Sequence, residues 1–160
     1  MAKIEIRGRI AVPAADLWAR IANFGDVSWV PGIRQLEVRG SGAGMVRVVA
    51  MGDAAPGEER LERIDPAARW LEYSVSGFQR DGDTASALAG TGPPAFPVRD
   101  YRGRMQVETE AQGGALRWSA EFEPDGVGED EAIDAVAQLG ALLFRWLKRD
   151  LETGAARSVA

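Results

Sequence analysis

The sequence predicts an α+β fold: a curved, seven-stranded antiparallel sheet wrapped around one long C-terminal helix. Three observations carry this. Between residues 33 and 124, short segments alternate apolar and polar side chains and are separated by glycine- or proline-bearing turns. One more alternating segment opens the chain. Only residues 129–152 are long and apolar enough on one face to cover such a sheet.

The elements follow in order. In residues 3–12, Ile4, Ile6 and Ile10 share one parity and Lys3, Glu5, Arg7 and Arg9 the other, as in a half-buried strand. Pro13 suits the start of a helix. Leu17, Trp18, Ile21 and Phe24 then recur at helical spacing, and Gly25 ends the run. Residues 26–31 form a short turn or helical stub ahead of Pro31-Gly32. Strands are predicted at Ile33–Arg39, Met45–Met51, Glu58–Ile64 and Trp70–Gly77, with turns at Gly40–Gly44 and Asp65-Pro66. Tyr101, Gly103, Met105 and Val107 alternate along the next strand, and Gly113-Gly114 marks a hairpin. Leu116, Trp118, Ala120 and Phe122 alternate along the last strand. In the final helix Ile133, Val136, Leu139, Gly140, Leu143, Phe144 and Leu147 form the apolar face. Acidic residues crowd its start and Lys148 and Arg149 its end, as the helix dipole favours. The last eight residues are expected to fray. No repeat interrupts the 160 residues, which read as a single ligand-binding domain, 1–160.

Composition narrows the chemistry. At 46% hydrophobic the chain is not disordered as a whole. It has no cysteine and no histidine, which removes disulfides, thiolate nucleophiles, the commonest general base and the commonest metal ligands. A net charge of −5 argues against neutralising nucleic-acid phosphates. No apolar run approaches membrane-spanning length and the first residues lack a signal-type core, so a cytoplasmic protein without membrane insertion is expected. The glycine-rich stretch 40–44 joins two strands and offers no helix N-terminus to a phosphate. Glu58, Glu59 and Glu62 are interleaved with arginines, and the acidic stretch 125–130 lacks calcium-loop spacing. No metal and no cofactor are expected.

Several segments carry a resemblance in their order and spacing. They are A-V-P-A-A-D-L-W (11–18), F-G-D-V-S-W-V-P-G-I (24–33), G-M-V-R (44–47), E-E-R-L-E-R-I-D (58–65), L-E-Y (71–73), P-V-R-D-Y-R-G (97–103) and L-R-W-S-A-E-F-E-P (116–124). Over nearly its whole length the chain resembles the START/Bet v 1-like (SRPBCC) helix-grip superfamily, in its bacterial polyketide cyclase/dehydrase-type branch. The resemblance implies a ligand cavity between sheet and helix. Residues 52–80 also resemble the corresponding region of plant abscisic acid receptors. That likeness implies pocket positions for Glu59, Tyr73 and Tyr101, and places Arg34 near a lysine that meets a ligand carboxylate. Gly52–Pro56 departs from the receptor gate sequence, and residues 79–96 exceed the receptor's second loop. A gated cavity is implied; a hormone receptor is not.

Strand parity and the helix face predict a cavity lined by Leu61, Tyr73, Val75, Tyr101, Met105, Trp118, Ala120, Leu139 and Leu143. Glu59, with one of Arg34, Arg47 or Arg63, is expected to meet the polar end of a ligand, because a charge facing an apolar cavity needs a partner. A solvated, ion-paired strand is the competing placement for Glu59, and Arg47 can serve a ligand or pin a neighbouring carboxylate. Trp18 and Trp29 are expected to pack at the sheet mouth. Trp146 either closes the helix–sheet core or sits at a partner surface. Residues 79–96 read as a lid or as a surface insertion. The partner expected is a small, mainly hydrophobic molecule bound by a carrier or sensor, acting as a monomer or homodimer. The alternatives are an aromatase/cyclase or dehydratase working by shape and acid/base positioning, and a protein-interaction module.

Overall fold

Alternation sorts the sheet into two chemically different faces. The computed structural model describes residues 1–51, 56–76 and 97–158, apart from the side chains of residue 51 and residues 155–158. Its elements are β1 (Ala2–Ile10), α1 (Ala14–Ala22), β2 (Ile33–Arg39), β3 (Val46–Met51), β4 (Gly57–Asp65), β5 (Trp70–Ser76), β6 (Val98–Glu110), β7 (Gly113–Pro124) and α2 (Glu129–Ser158). The seven strands pair antiparallel in the order β1-β7-β6-β5-β4-β3-β2. β2 to β7 is a meander, and β1 returns beside β7. The architecture is the predicted helix-grip arrangement, with the sheet wrapped around α2.

One face carries the core: Ile10, Leu71, Val107, Leu116, Trp118 and Phe122 are all buried. The opposite parity carries cross-strand ion pairs. Lys3 meets Glu121 at 2.8 Å, and Arg117 meets both Glu5 and Glu108 at 2.8 Å. Arg63 and Arg104 both pair with Glu72, at 3.1 and 2.8 Å. Ala132, Val136 and Leu147 of α2 are buried at helical spacing against the apolar face. Gly140 sets the closest approach, since a Cβ there would overlap Trp118 and collide with Ile6.

The structure refines the two ends of this plan. Residues 26–31 form turns rather than a helical stub. Asp26 Oδ1 accepts the Ser28 N–H at 2.9 Å, a side-chain-closed turn that competes with helix. At the C-terminus α2 continues to Ser158, beyond the expected end at 152. Ala155 and Ala156 favour helix and no proline stops it. The turn of the helix before them is tied down. Arg20 Nε lies 3.0 Å from Asp150, and Glu152 accepts the Ala11 N–H at 2.9 Å. Residues 79–96, read as a lid, and most of Gly52–Pro56 lie outside the described residues.

Candidate functional site

Antiparallel register places directly opposed residues on the same face. One such row runs Val38, Arg47, Glu59, Val75, Tyr101 across β2 to β6. A second runs Leu61, Tyr73, Gly103, Ala120, Ile4 across β4, β5, β6, β7 and β1. Arg47 and Glu59 are therefore brought together by strand pairing, on the concave side.

Two bulges extend the inward-facing set beyond these rows. β4 gains an extra residue between Leu61 and Arg63. Glu59, Leu61 and Ile64 can then all face inward, which explains why this strand shows no clean alternation in sequence. β6 gains one between Arg99 and Arg102, where Asp100 takes a left-handed φ of 52°. Val98 and Tyr101 both turn inward as a result, and both are buried. Arg63, just past the first bulge, falls on the convex face and pairs with Glu72.

The concave rows border a partly open cavity of about 140 Å³. It is lined from the sheet by Arg47, Val49, Glu59, Tyr73, Val75, Tyr101 and Met105, and from α2 by Leu139, Leu143 and Trp146. Val27, Trp29, Val30 and Ile33 close it from the turn after α1 and the start of β2. Among its described lining residues, Arg47 and Glu59 are the charged side chains. Arg47 Nε donates to Glu59 Oε2, and its Nη1 donates to the Phe24 carbonyl at 2.7 Å. The guanidinium also lies 3.9 Å from the centre of the Phe24 ring. The Arg47 side chain is 11% exposed and that of Glu59 25%. This is a paired, half-buried charge corner in an otherwise apolar wall.

The floor is a hydrogen-bonded aromatic cluster. Trp118 Nε1–H donates to the Tyr73 hydroxyl at 3.0 Å, which lies 3.2 Å from the Tyr101 hydroxyl. The Tyr73 ring lies over Gly103, its cross-strand partner, where a Cβ would overlap the ring. Phe24 and Phe122 flank the two phenols, 6.2 Å from Tyr73 and 6.4 Å from Tyr101 between ring centroids. Burial raises the Tyr101 pKa well above the ordinary phenol value, reinforced by the Tyr73 hydroxyl and the charge of Glu59. Burial raises that of Tyr73 too, and hydrogen bonds from Tyr101 and Trp118 partly offset it. Both phenols are therefore neutral across the physiological range and serve as hydrogen-bonding groups rather than bases.

Of the residues singled out from sequence, the structure gathers Arg47, Glu59, Tyr73, Val75, Tyr101, Met105, Leu139 and Leu143 around this cavity. Trp118 and Leu61 lie in the packed layer that supports it, and Ala120 is buried in the row beside Gly103. Arg34 is exposed on the edge strand β2 and does not line the cavity. Trp146 lines the cavity from the helix, and Trp18 packs partly buried against the core. Sequence parity did not bring in Val27, Val30, Ile33 or Val49. The first three lie in or next to a turn without periodicity. Their signal was the density of apolar residues in V-S-W-V-P-G-I, too many for an exposed loop. Among the described residues, no acidic cluster is placed to hold a metal ion, and no helix is long and apolar enough to cross a membrane.

Comparison with known proteins agrees with this geometry. No curated protein matches the sequence. The structure of protein XoxI from Bacillus cereus superposes with a TM-score of 0.74 at 24% identity, covering 94% of this chain and 95% of that one. A putative uncharacterized protein from Bacillus thuringiensis gives 0.75 at 24% identity, covering 93% and 98%. Ara h 8.0201 gives 0.71 at 20% identity, covering 95% and 98%. Likeness at these identities establishes the fold alone. The family model described as polyketide cyclase/dehydrase and lipid transport matches residues 1–160. The chain belongs to that polyketide cyclase/dehydrase and lipid transport family.

Proposed function

We propose that this protein is a single-domain carrier or sensor that binds a small, mainly hydrophobic molecule in the cavity between the sheet and α2. The observation that carries the reading is the lining: apolar and aromatic walls around one compact polar corner. Val75, Met105, Leu139 and Leu143 would remove apolar ligand surface from water. Arg47, Glu59 and the Tyr73–Tyr101 pair would orient a polar group. The chain's net charge of −5 favours a small molecule over nucleic acid as partner.

A second reading is a cyclase- or dehydratase-type enzyme, favoured by the phenol pair on the cavity floor. Tyr73 and Tyr101 are held neutral by burial, so they would polarise a carbonyl by donating hydrogen bonds. Positioning within the cavity would supply the rest.

Thermal denaturation against a panel of apolar molecules, followed by chromatographic recovery of each, separates the readings. A carrier is stabilised by its ligand and returns it unchanged. Recovery of a cyclised or dehydrated product would establish the enzyme instead. A panel in which no molecule raises the melting temperature would overturn both.

A further inference from the structure

Resting on the cavity reading above, we infer the class of ligand: an uncharged molecule of single-ring size bearing one hydrogen-bonding oxygen. Volume sets the size. The cavity measures about 140 Å³, and an apolar cavity of about 150 Å³ holds one benzene ring. The cavity is open on one side, so a fused multi-ring compound or a long acyl chain could be held only in part, with the remainder left in solvent. Two indoles, Trp29 and Trp146, border the same space, one from the turn after α1 and one from α2, and supply aromatic surface to a ring.

Charge balance sets the polarity. The ionised groups among the described lining residues are Arg47 and Glu59, and they neutralise each other. Arg47 is further engaged by the Phe24 carbonyl and ring. An anion entering this space would shed its hydration without meeting an unbalanced cation, and a cation would meet no unbalanced anion. A neutral oxygen has no such penalty. The guanidinium carries five N–H donors, of which Nε and one on Nη1 are used in the two bonds to Glu59 and Phe24, so others remain for a neutral acceptor.

The balance also predicts how to invert the preference. Glu59→Gln keeps the shape of the side chain and removes its charge, leaving Arg47 as a net cation in the wall. The experiment is calorimetric titration of the full chain at neutral pH with benzyl alcohol, benzoate and 9-anthracenemethanol. In the wild type, benzyl alcohol is expected to bind at least about tenfold more tightly than benzoate, and more tightly than the three-ring alcohol. In Glu59→Gln, the ratio of benzoate to benzyl alcohol affinity is expected to rise by at least about tenfold. Tightest wild-type binding by benzoate or by 9-anthracenemethanol would overturn the ligand class and leave the cavity reading standing. So would an unchanged ratio in a folded Glu59→Gln variant. If that variant fails to fold, the wild-type ranking decides alone. Binding of none of the three would overturn the cavity reading together with the class.

Discussion

The two faces of the sheet use the same arginine–glutamate chemistry in different surroundings. On the convex face, Arg117 bridges Glu5 and Glu108, with side chains 41%, 55% and 28% exposed. On the concave face, Arg47 and Glu59 sit opposite each other at 11% and 25% exposure, against Phe24 and next to the cavity. Water screens the first set, and such pairs contribute little to stability. The second pair is partly desolvated, so each partner depends on the other. An ion pair therefore gains its significance here from what surrounds it. The convex ladder keeps the outer face polar and helps hold strand register. The concave pair places polarity where a ligand can reach it.

The comparison can be broken first at the layer that supports the concave face. Trp118→Ala removes a fully buried indole and the donor to Tyr73, and is expected to destabilise the protein by about 3–5 kcal/mol, read from urea unfolding midpoints. Next comes the pair itself. Arg47→Met strands Glu59 and is expected to cost about 2 kcal/mol, below the value for a fully buried pair because Glu59 retains some solvent. Adding Glu59→Leu should restore much of that loss, since two apolar side chains leave no charge uncompensated. A double variant no more stable than Arg47→Met alone would place the pair energetically with the convex ladder.

Two pH effects sharpen the contrast. Tyr73 and Tyr101 have raised pKa values in the folded protein, so folding retains protons that the unfolded chain releases. Their contribution is fully present below the unfolded phenol value near 10 and is lost as pH rises toward the folded values. These are the chain's two tyrosines, so tyrosinate absorbance during alkaline titration reports them directly. Both should ionise late, together with unfolding. On the convex face Glu108 is held below the ordinary glutamate value, first by its hydrogen bond from Arg7 and then by that from Arg117. Its contribution is present above the unfolded value and is lost as pH falls through the lower folded value. Partly exposed on the convex face and shared between two arginines that water screens, it gives the smallest effect: Glu108→Gln should cost less than about 1 kcal/mol, diminishing further with added salt.

Strand and helix existence were legible because period-two and period-3.6 patterns report burial on one face, whatever the tertiary detail. Tyr73, Val75, Tyr101 and Met105 could be assigned to one face for that reason, and the register places them together. The bulges were not legible. Nothing in Glu62-Arg63 or Arg99-Asp100 announces an inserted residue, yet each insertion decides which neighbours face inward. Arg34, Arg47 and Arg63 were all candidate partners of Glu59 in sequence. Only pairing registers separate Arg47, opposite Glu59, from Arg63 on the convex face and Arg34 on the exposed edge strand. The turn holding Val27, Trp29 and Val30 was equally hidden, because a wall built from a non-periodic segment leaves no periodic signal.

The central claim is that the concave cavity holds a small apolar molecule. Native mass spectrometry of the protein as isolated from its host, compared with Leu143→Trp, tests it most directly. Leu143 lines the cavity from the helix, so the larger ring fills the space without touching the strand pairing. The wild type should carry one small apolar molecule per chain, and the folded variant should carry none. A wild type and variant with the same bound mass would contradict the account, and so would a wild type that is empty and stays empty when apolar molecules are added.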